Sequence, residues 1–153
     1  MKFSGEISVK APRAAVFDKL RDARFFASCV EGVRDLAETG PDRYAAVFET
    51  RVAYMKFSFK VTVELTRADP PVAIEARVEG TPLGVVGRMT ATTSTTLHEK
   101  SAGTTIAYAV DAALTGKLGS LGQPVLHAKA REMEKQFAAR LAAAFDQNAE
   151  ATR

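Results

Sequence analysis

Apolar and polar side chains alternate from the first residues, with Phe3, Gly5, Ile7 and Val9 on one side and Lys2, Ser4, Glu6, Ser8 and Lys10 on the other. A period of two sends successive side chains to opposite faces of an extended chain, so the pattern predicts a half-buried strand. Ala11-Pro12 ends it, and Pro12 suits the first turn of a helix, where no N–H is needed. Ala15, Val16, Phe17, Leu20 and Ala23 then recur at helical spacing, as do Phe25, Phe26, Cys29 and Val30. Two short helices are expected, roughly 12–21 and 23–30, with Asp22 as N-cap of the second and Gly32 closing it.

From 33 to 114 the period returns to two. Val33 to Leu36 predicts a strand, Thr39-Gly40-Pro41-Asp42 a turn, and Tyr44, Ala46 and Phe48 the next strand. The clearest signal is Met55, Phe57, Phe59, Val61, Val63 and Leu65 against Lys56, Ser58, Lys60, Thr62, Glu64 and Thr66. A helix would scatter these around its circumference, so this is a long strand. Asp69-Pro70-Pro71 turns the chain into a strand carrying Val72, Ile74, Ala76 and Val78. After Gly80-Thr81-Pro82 another strand begins at Val85 and runs through Gly87, Met89, Ala91, Thr93 and Thr95 to Leu97. Lys100 to Gly103 is a short connection to the last strand, Thr104 to Leu114. Consecutive strands with short turns make an antiparallel meander.

The closing segment, about 118–148, predicts one long helix, regular from about Gln123 because Gly116, Gly119, Gly122 and Pro124 loosen its entrance. Leu121, Val125, Ala128, Met133, Phe137, Leu141 and Phe145 form its apolar stripe, with Lys129, Arg131, Glu132, Glu134, Lys135 and Arg140 mostly on other faces. A twisted sheet with one apolar face and a helix with one apolar stripe bury both by curling the sheet around the helix. The expected fold class is therefore α+β, a helix-grip domain over 1–148. It has a curved antiparallel sheet of about seven strands, two short helices after the first strand, and a frayed polar tail over 149–153.

Composition narrows the chemistry. With 153 residues, 46% hydrophobic and 25% charged, the chain fits one globular domain. Surface scaling gives a compact chain of this size roughly 7,500 Å² of exposed area. Twenty-one Lys and Arg against eighteen Asp and Glu give a formal charge of +3, too small and scattered for nucleic-acid binding. The single cysteine, Cys29, permits no internal disulfide, and with His98 and His127 it cannot build a Cys-rich metal site. No signal peptide or membrane span is expected, so a cytoplasmic protein follows.

The titratable and nucleophilic residues form no catalytic constellation. His98, beside Glu99 and Lys100 at a strand end, reads as an exposed histidine. His127 reads as a boundary residue of the long helix. Cys29 lacks adjacent cations to lower its thiol pKa and reads as a small packed residue. Gly116-Lys117-Leu118 lacks the hydroxyl of a phosphate-binding loop. Lys129, Arg131, Lys135 and Arg140 could face anionic lipid, yet the interspersed Glu132 and Glu134 make an ordinary solvated helix face. No catalytic residue, metal site or cofactor is therefore assigned.

The aromatic and methionine positions carry the candidate site. Phe48, Phe57, Phe59, Met89 and Tyr108 share concave-face parity, and Met133 and Phe137 face them from the helix. Methionine adapts to irregular apolar shapes, and Ala76, Gly87 and Ala91 leave room between the larger groups. Tyr108 could offer its hydroxyl to a ligand's polar end or simply bond a backbone group. A dry hollow of about 300 Å³ would cost roughly 7 kcal/mol at about 24 cal/mol per Å³, comparable with the whole stability of a domain. Such a space must be narrow, hydrated or filled.

Phe3-Ser4-Gly5-Glu6-Ile7-Ser8-Val9-Lys10-Ala11-Pro12, followed by Val16-Phe17-Asp18-Lys19-Leu20, resembles the opening of the START-like (SRPBCC) superfamily. Cys29-Val30-Glu31-Gly32-Val33, Gly84 to Arg88, Gly103 to Tyr108 and Gly116 to Gly122 resemble segments of the CoxG family of carbon monoxide dehydrogenase subunits. The resemblance implies a deep pocket for lipids, steroids, polyketides or other apolar ligands. It further implies association with a molybdenum-containing carbon monoxide dehydrogenase, for membrane recruitment or quinone-related service. Members thought to attach to membranes carry an extra carboxy-terminal tail, and without one direct anchoring is not expected.

The leading expectation is thus non-catalytic binding of a lipid or quinone-like ligand between sheet and helix, with molybdenum hydroxylase subunits as partners and peripheral contact with the inner face of the membrane. The alternatives are an enzyme acting on a cyclic or polyketide-like substrate through His127 or Tyr108, and an assembly factor working by protein–protein contact.

Overall fold

The computed structural model describes residues 1–151. Seven strands form one antiparallel sheet: β1 (Lys2–Val9), β2 (Val33–Gly40), β3 (Arg43–Val52), β4 (Met55–Asp69), β5 (Ala73–Pro82), β6 (Gly87–Lys100) and β7 (Gly103–Thr115). Their order is β1-β7-β6-β5-β4-β3-β2, so the meander is continuous from β2 to β7 and β1 closes on β7. Helices α1 (Arg13–Arg21) and α2 (Ala23–Ser28) join the two edge strands, and α3 (Gly116–Gly119) and α4 (Gln123–Ala151) follow the sheet. This is the expected helix-grip architecture.

Local chemistry explains the junctions. Asp22 caps α2, its carboxylate accepting from the N–H groups of Arg24 at 3.0 Å and Phe25 at 3.2 Å. The buried Thr104 hydroxyl donates to the Ala11 carbonyl at 2.8 Å and ties the β1–α1 corner to β7. Gly32 has φ +91°, and a Cβ there would run into the Glu49 carbonyl, so only glycine passes between α2 and β2. Edge strand β2 is irregular, with register shifts between Arg34 and Ala37 and between Glu38 and Gly40, and Asp35 at φ 58°.

Several boundaries depart from expectation. β2 extends to Gly40, α2 stops at Ser28, and β6 starts at Gly87, leaving Val85 and Val86 in an exposed loop. Val72 likewise precedes β5 and is exposed. The glycine-rich entrance contains a one-turn helix, α3, and α4 begins at Gln123 as expected. The tail expected over 149–153 falls at and beyond the end of the described residues.

The phase of the α4 stripe also needs correction. Ala128 is exposed, whereas Leu126, absent from the expected stripe, is buried. Lys129 keeps only 17% of its side chain exposed, and Glu134 turns toward the sheet to meet Tyr108. Among the described residues no helix is long and apolar enough to cross a membrane.

Candidate ligand site between sheet and helix

Cross-strand partners in an antiparallel sheet share a face, so the register draws the concave wall row by row. Phe48, Phe59 and Pro82 form one row, and Ala46, Val61, Gly80, Met89 and Leu114 the next. Tyr44, Val63, Val78, Ala91 and Ala112 come third, then Leu65, Ala76, Thr93, Val110 and Phe3. A fifth row runs through Ile74, Thr95, Tyr108 and Gly5, and a sixth through Leu97, Ile106 and Ile7. The two rows nearest the centre carry the small side chains Ala76, Ala91, Thr93 and Ala112.

The apolar interior divides along this wall. One cluster, at the start of α4, joins Val52, Phe57, Phe59, Leu118 and Leu126, with Phe48, Val61 and Leu114 against it. The other, toward the end of α4, joins Val16, Phe17, Ile74, Leu97, Ile106 and Leu141, with Tyr108 and Phe137 against it. Between them Phe3, Val63, Ala76, Val78, Thr93 and Val110 belong to neither cluster and are only half-buried, while Ala91 and Ala112 in the same rows are buried. Close backbone approaches of α4 are to β1 and β3.

The seven sequence-derived site residues separate accordingly. Phe57 and Phe59, each 3% exposed, are core. They stack with ring centroids 5.9 Å apart, and Phe48 stacks on Phe59 at 6.2 Å. Phe137 packs at the far end, with Phe26 at 5.0 Å. Met89 and Met133 are half-buried and belong to neither cluster. The Met89 methyl covers Gly80, lying 2.9 Å from where a Cβ would stand.

Tyr108 is the polar member. Its hydroxyl donates to Glu134 Oε2 across from Gly5, its direct partner on β1. Burial, then the hydrogen bond to Glu134 and its charge, push the phenol pKa above its ordinary value, so Tyr108 remains a donor at any physiological pH. Sequence reading missed Glu134. A charge on an amphipathic helix is assigned to the solvent side, and the only available signal was Gly5, whose missing side chain leaves room for both oxygens.

Of the remaining candidates, His127 touches this interior through Phe3, and His98 lies apart from it. His98 is exposed and bonds Thr96 at 3.2 Å, while half-buried His127 packs on Phe3 with centroids 4.7 Å apart. Cys29 is 2% exposed, and its thiol pKa is raised chiefly by burial. Two surface concavities, of about 400 and 580 Å³, lie respectively beside Arg13, Glu99 and Lys100 and across Lys2, Glu75, Arg77 and Asp111, the second also bounded by Phe3, Ala76, Thr93 and Val110. The charged rim of the first, with Lys10, Arg13, Glu99 and Lys100, does not suit an apolar molecule. Among the described residues no three His, Cys, Asp or Glu group closely enough to hold a metal ion.

A curved antiparallel sheet gripping a long helix over a divided, half-open apolar interior defines a START-like domain. Within that class the chain belongs to the CoxG family of carbon monoxide dehydrogenase subunits, whose model matches residues 5–145. No curated protein sequence matches it.

Among solved structures, a conserved protein from Geobacillus kaustophilus superposes with TM-score 0.88 at 24% identity, covering 96% of each chain. A Thermus thermophilus protein gives TM-score 0.65 at 16% identity, over 94% of this chain and 99% of the other. The di-domain ARO/CYC protein BexL of the BE-7585A biosynthetic pathway gives 0.60 at 18%, over 94% of this chain and 49% of its own. At these identities the likeness establishes the fold. Family and fold together support a domain that binds hydrophobic ligands.

Proposed function

We propose that the protein binds a small apolar ligand, a lipid or a quinone-like molecule, without transforming it, in the band between the two interior clusters. The observation that carries this reading is the half-buried middle of the concave wall, apolar yet in neither cluster. Burying apolar surface is worth about 25 cal/mol per Å², so a half-buried apolar wall gains from an apolar occupant. Half-buried Met89 and Met133 supply adaptable walls, and the stacked Phe48, Phe57 and Phe59 close one end.

In line with its family, the protein serves as an accessory of a carbon monoxide dehydrogenase-type molybdenum hydroxylase. Ligand exchange takes place at the inner face of a membrane. The loop end of the sheet suits that contact: Tyr54 is 85% and Val86 87% exposed, with Arg51, Lys56, Arg88 and Lys117 in the same loops and strand ends.

Incubation with a solvent extract of cellular lipids, followed by native mass spectrometry, is expected to show one stoichiometric adduct in the hydrophobic mass range. An unchanged mass across the extract would remove the ligand-binding reading. Retrieval with the tagged protein is expected to bring down molybdenum; a retrieved fraction free of it would remove the hydroxylase connection alone.

A further inference from the structure

Glu134 is a half-buried carboxylate on the sheet-facing side of α4, placed where β1 has no side chain to oppose it. A Cβ on Gly5 would stand 2.5 Å from Glu134 Oε2 and 2.7 Å from the Tyr108 hydroxyl oxygen. The glycine therefore seats both oxygens against the β1 backbone. Tyr108 has one hydrogen and gives it to Oε2. The second carboxylate oxygen and the free lone pair of the phenol remain, and both accept. The nearest cations along the helix, Arg131 and Lys135, are exposed, and Lys129 lies 3.6 Å from Glu132.

We infer that Tyr108 and Glu134 form a hydrogen-bond-accepting anchor at the polar end of the ligand space, selecting ligands that present a hydroxyl or an amine. A carboxylate or phosphate head would meet the Glu134 charge in a partly desolvated setting, where repulsion is little screened. A carbonyl or ester head would bring a third acceptor to two acceptors and leave all of them unpaired. A molecule of the quinol type fits, and its oxidised quinone fits worse. The inference rests on the apolar-ligand reading above and adds the chemistry of the ligand's head.

The test uses the neutral dye Nile red as reporter and decanol, methyl decanoate and decanoate as competitors of equal chain length. In the native protein decanol is expected to displace the dye at about tenfold lower concentration than either competitor, the size of one hydrogen bond to a charged group. In Glu134→Gln, which loses the charge and gains an N–H donor, the gap is expected to close to about twofold, chiefly because decanoate and the ester bind better.

Gly5→Ala displaces both oxygens by another route and is expected to narrow the gap in the same way if Glu134→Gln does not fold. Equal displacement by all three competitors in the native protein would overturn the anchor while leaving the apolar-ligand reading intact. A gap that persists in the folded variant would do the same. Absence of any dye uptake would overturn both.

Discussion

Leu141 and Met133 lie about two turns apart on α4, and both fall on the apolar stripe that the sequence predicts. Leu141 is wholly enclosed at 0% exposure, whereas Met133 is half-buried over the central band. Leu141→Ala should therefore leave a true cavity and cost about 2–5 kcal/mol. Met133→Ala enlarges a space that is already open and should cost less than about 1.5 kcal/mol, since no new void is sealed. Urea unfolding of the two variants measures the contrast, and equal losses would mean that Met133 is packed core. Sequence separates such residues poorly, because hydrophobicity reports that a side chain avoids water and not what fills the space beside it. The same blindness hid Glu134 and Lys129, whose charges argued for the solvent side. Asp22 and Gly32 were legible because a cap and a helix stop each require particular local chemistry.

At the level of elements, strands declared themselves wherever one face is apolar and the other polar, as in β4. The pattern misled at Val85 and Val86, where a loop exposes apolar groups and copies the alternation of β6. Helix phase was harder, because α4 meets a curved wall and its inward face drifts from Leu126 to Leu141. The junction of β2 with β3 carries a pH-dependent component. Arg34 holds Glu49 at 2.5 Å and Lys56 approaches it at 3.7 Å. The hydrogen bond and charge of Arg34 lower the Glu49 carboxyl pKa below its ordinary 4.5. A depressed carboxyl contributes stability above its unfolded value and loses it as pH falls through the folded value. The melting temperature of Arg34→Ala should thus lie slightly below the parent's at pH 7 and converge with it in the acid range below 4.5. Thermal scans across that range check it; the difference is small because the pair is solvent-exposed.

For the molecule as a whole, order and spacing of elements were enough to read the helix-grip architecture, because meander and terminal amphipathic helix have few ways to bury both faces. The occupant was not legible, since aromatic and methionine positions look alike whether they pack on one another or line a space. Linkage offers a direct check. A ligand at about one hundred times its dissociation constant should stabilise the fold by about 2.7 kcal/mol. Decanol is expected to raise the melting temperature by several degrees, and methyl decanoate by less at the same concentration. A melting temperature indifferent to both would contradict an interior that accepts them.

The kinked course of β2 bears on behaviour in a crowded solution. A straight outer strand presents unpaired amide and carbonyl groups in register and serves as a template for another chain. Asp35 at φ 58° and the two slipped pairings put those groups out of step, while the side chains of Arg34, Asp35 and Glu38 crowd the margin with charge. A sheet that remains unclosed on that side is thereby a poor seed for fibrils.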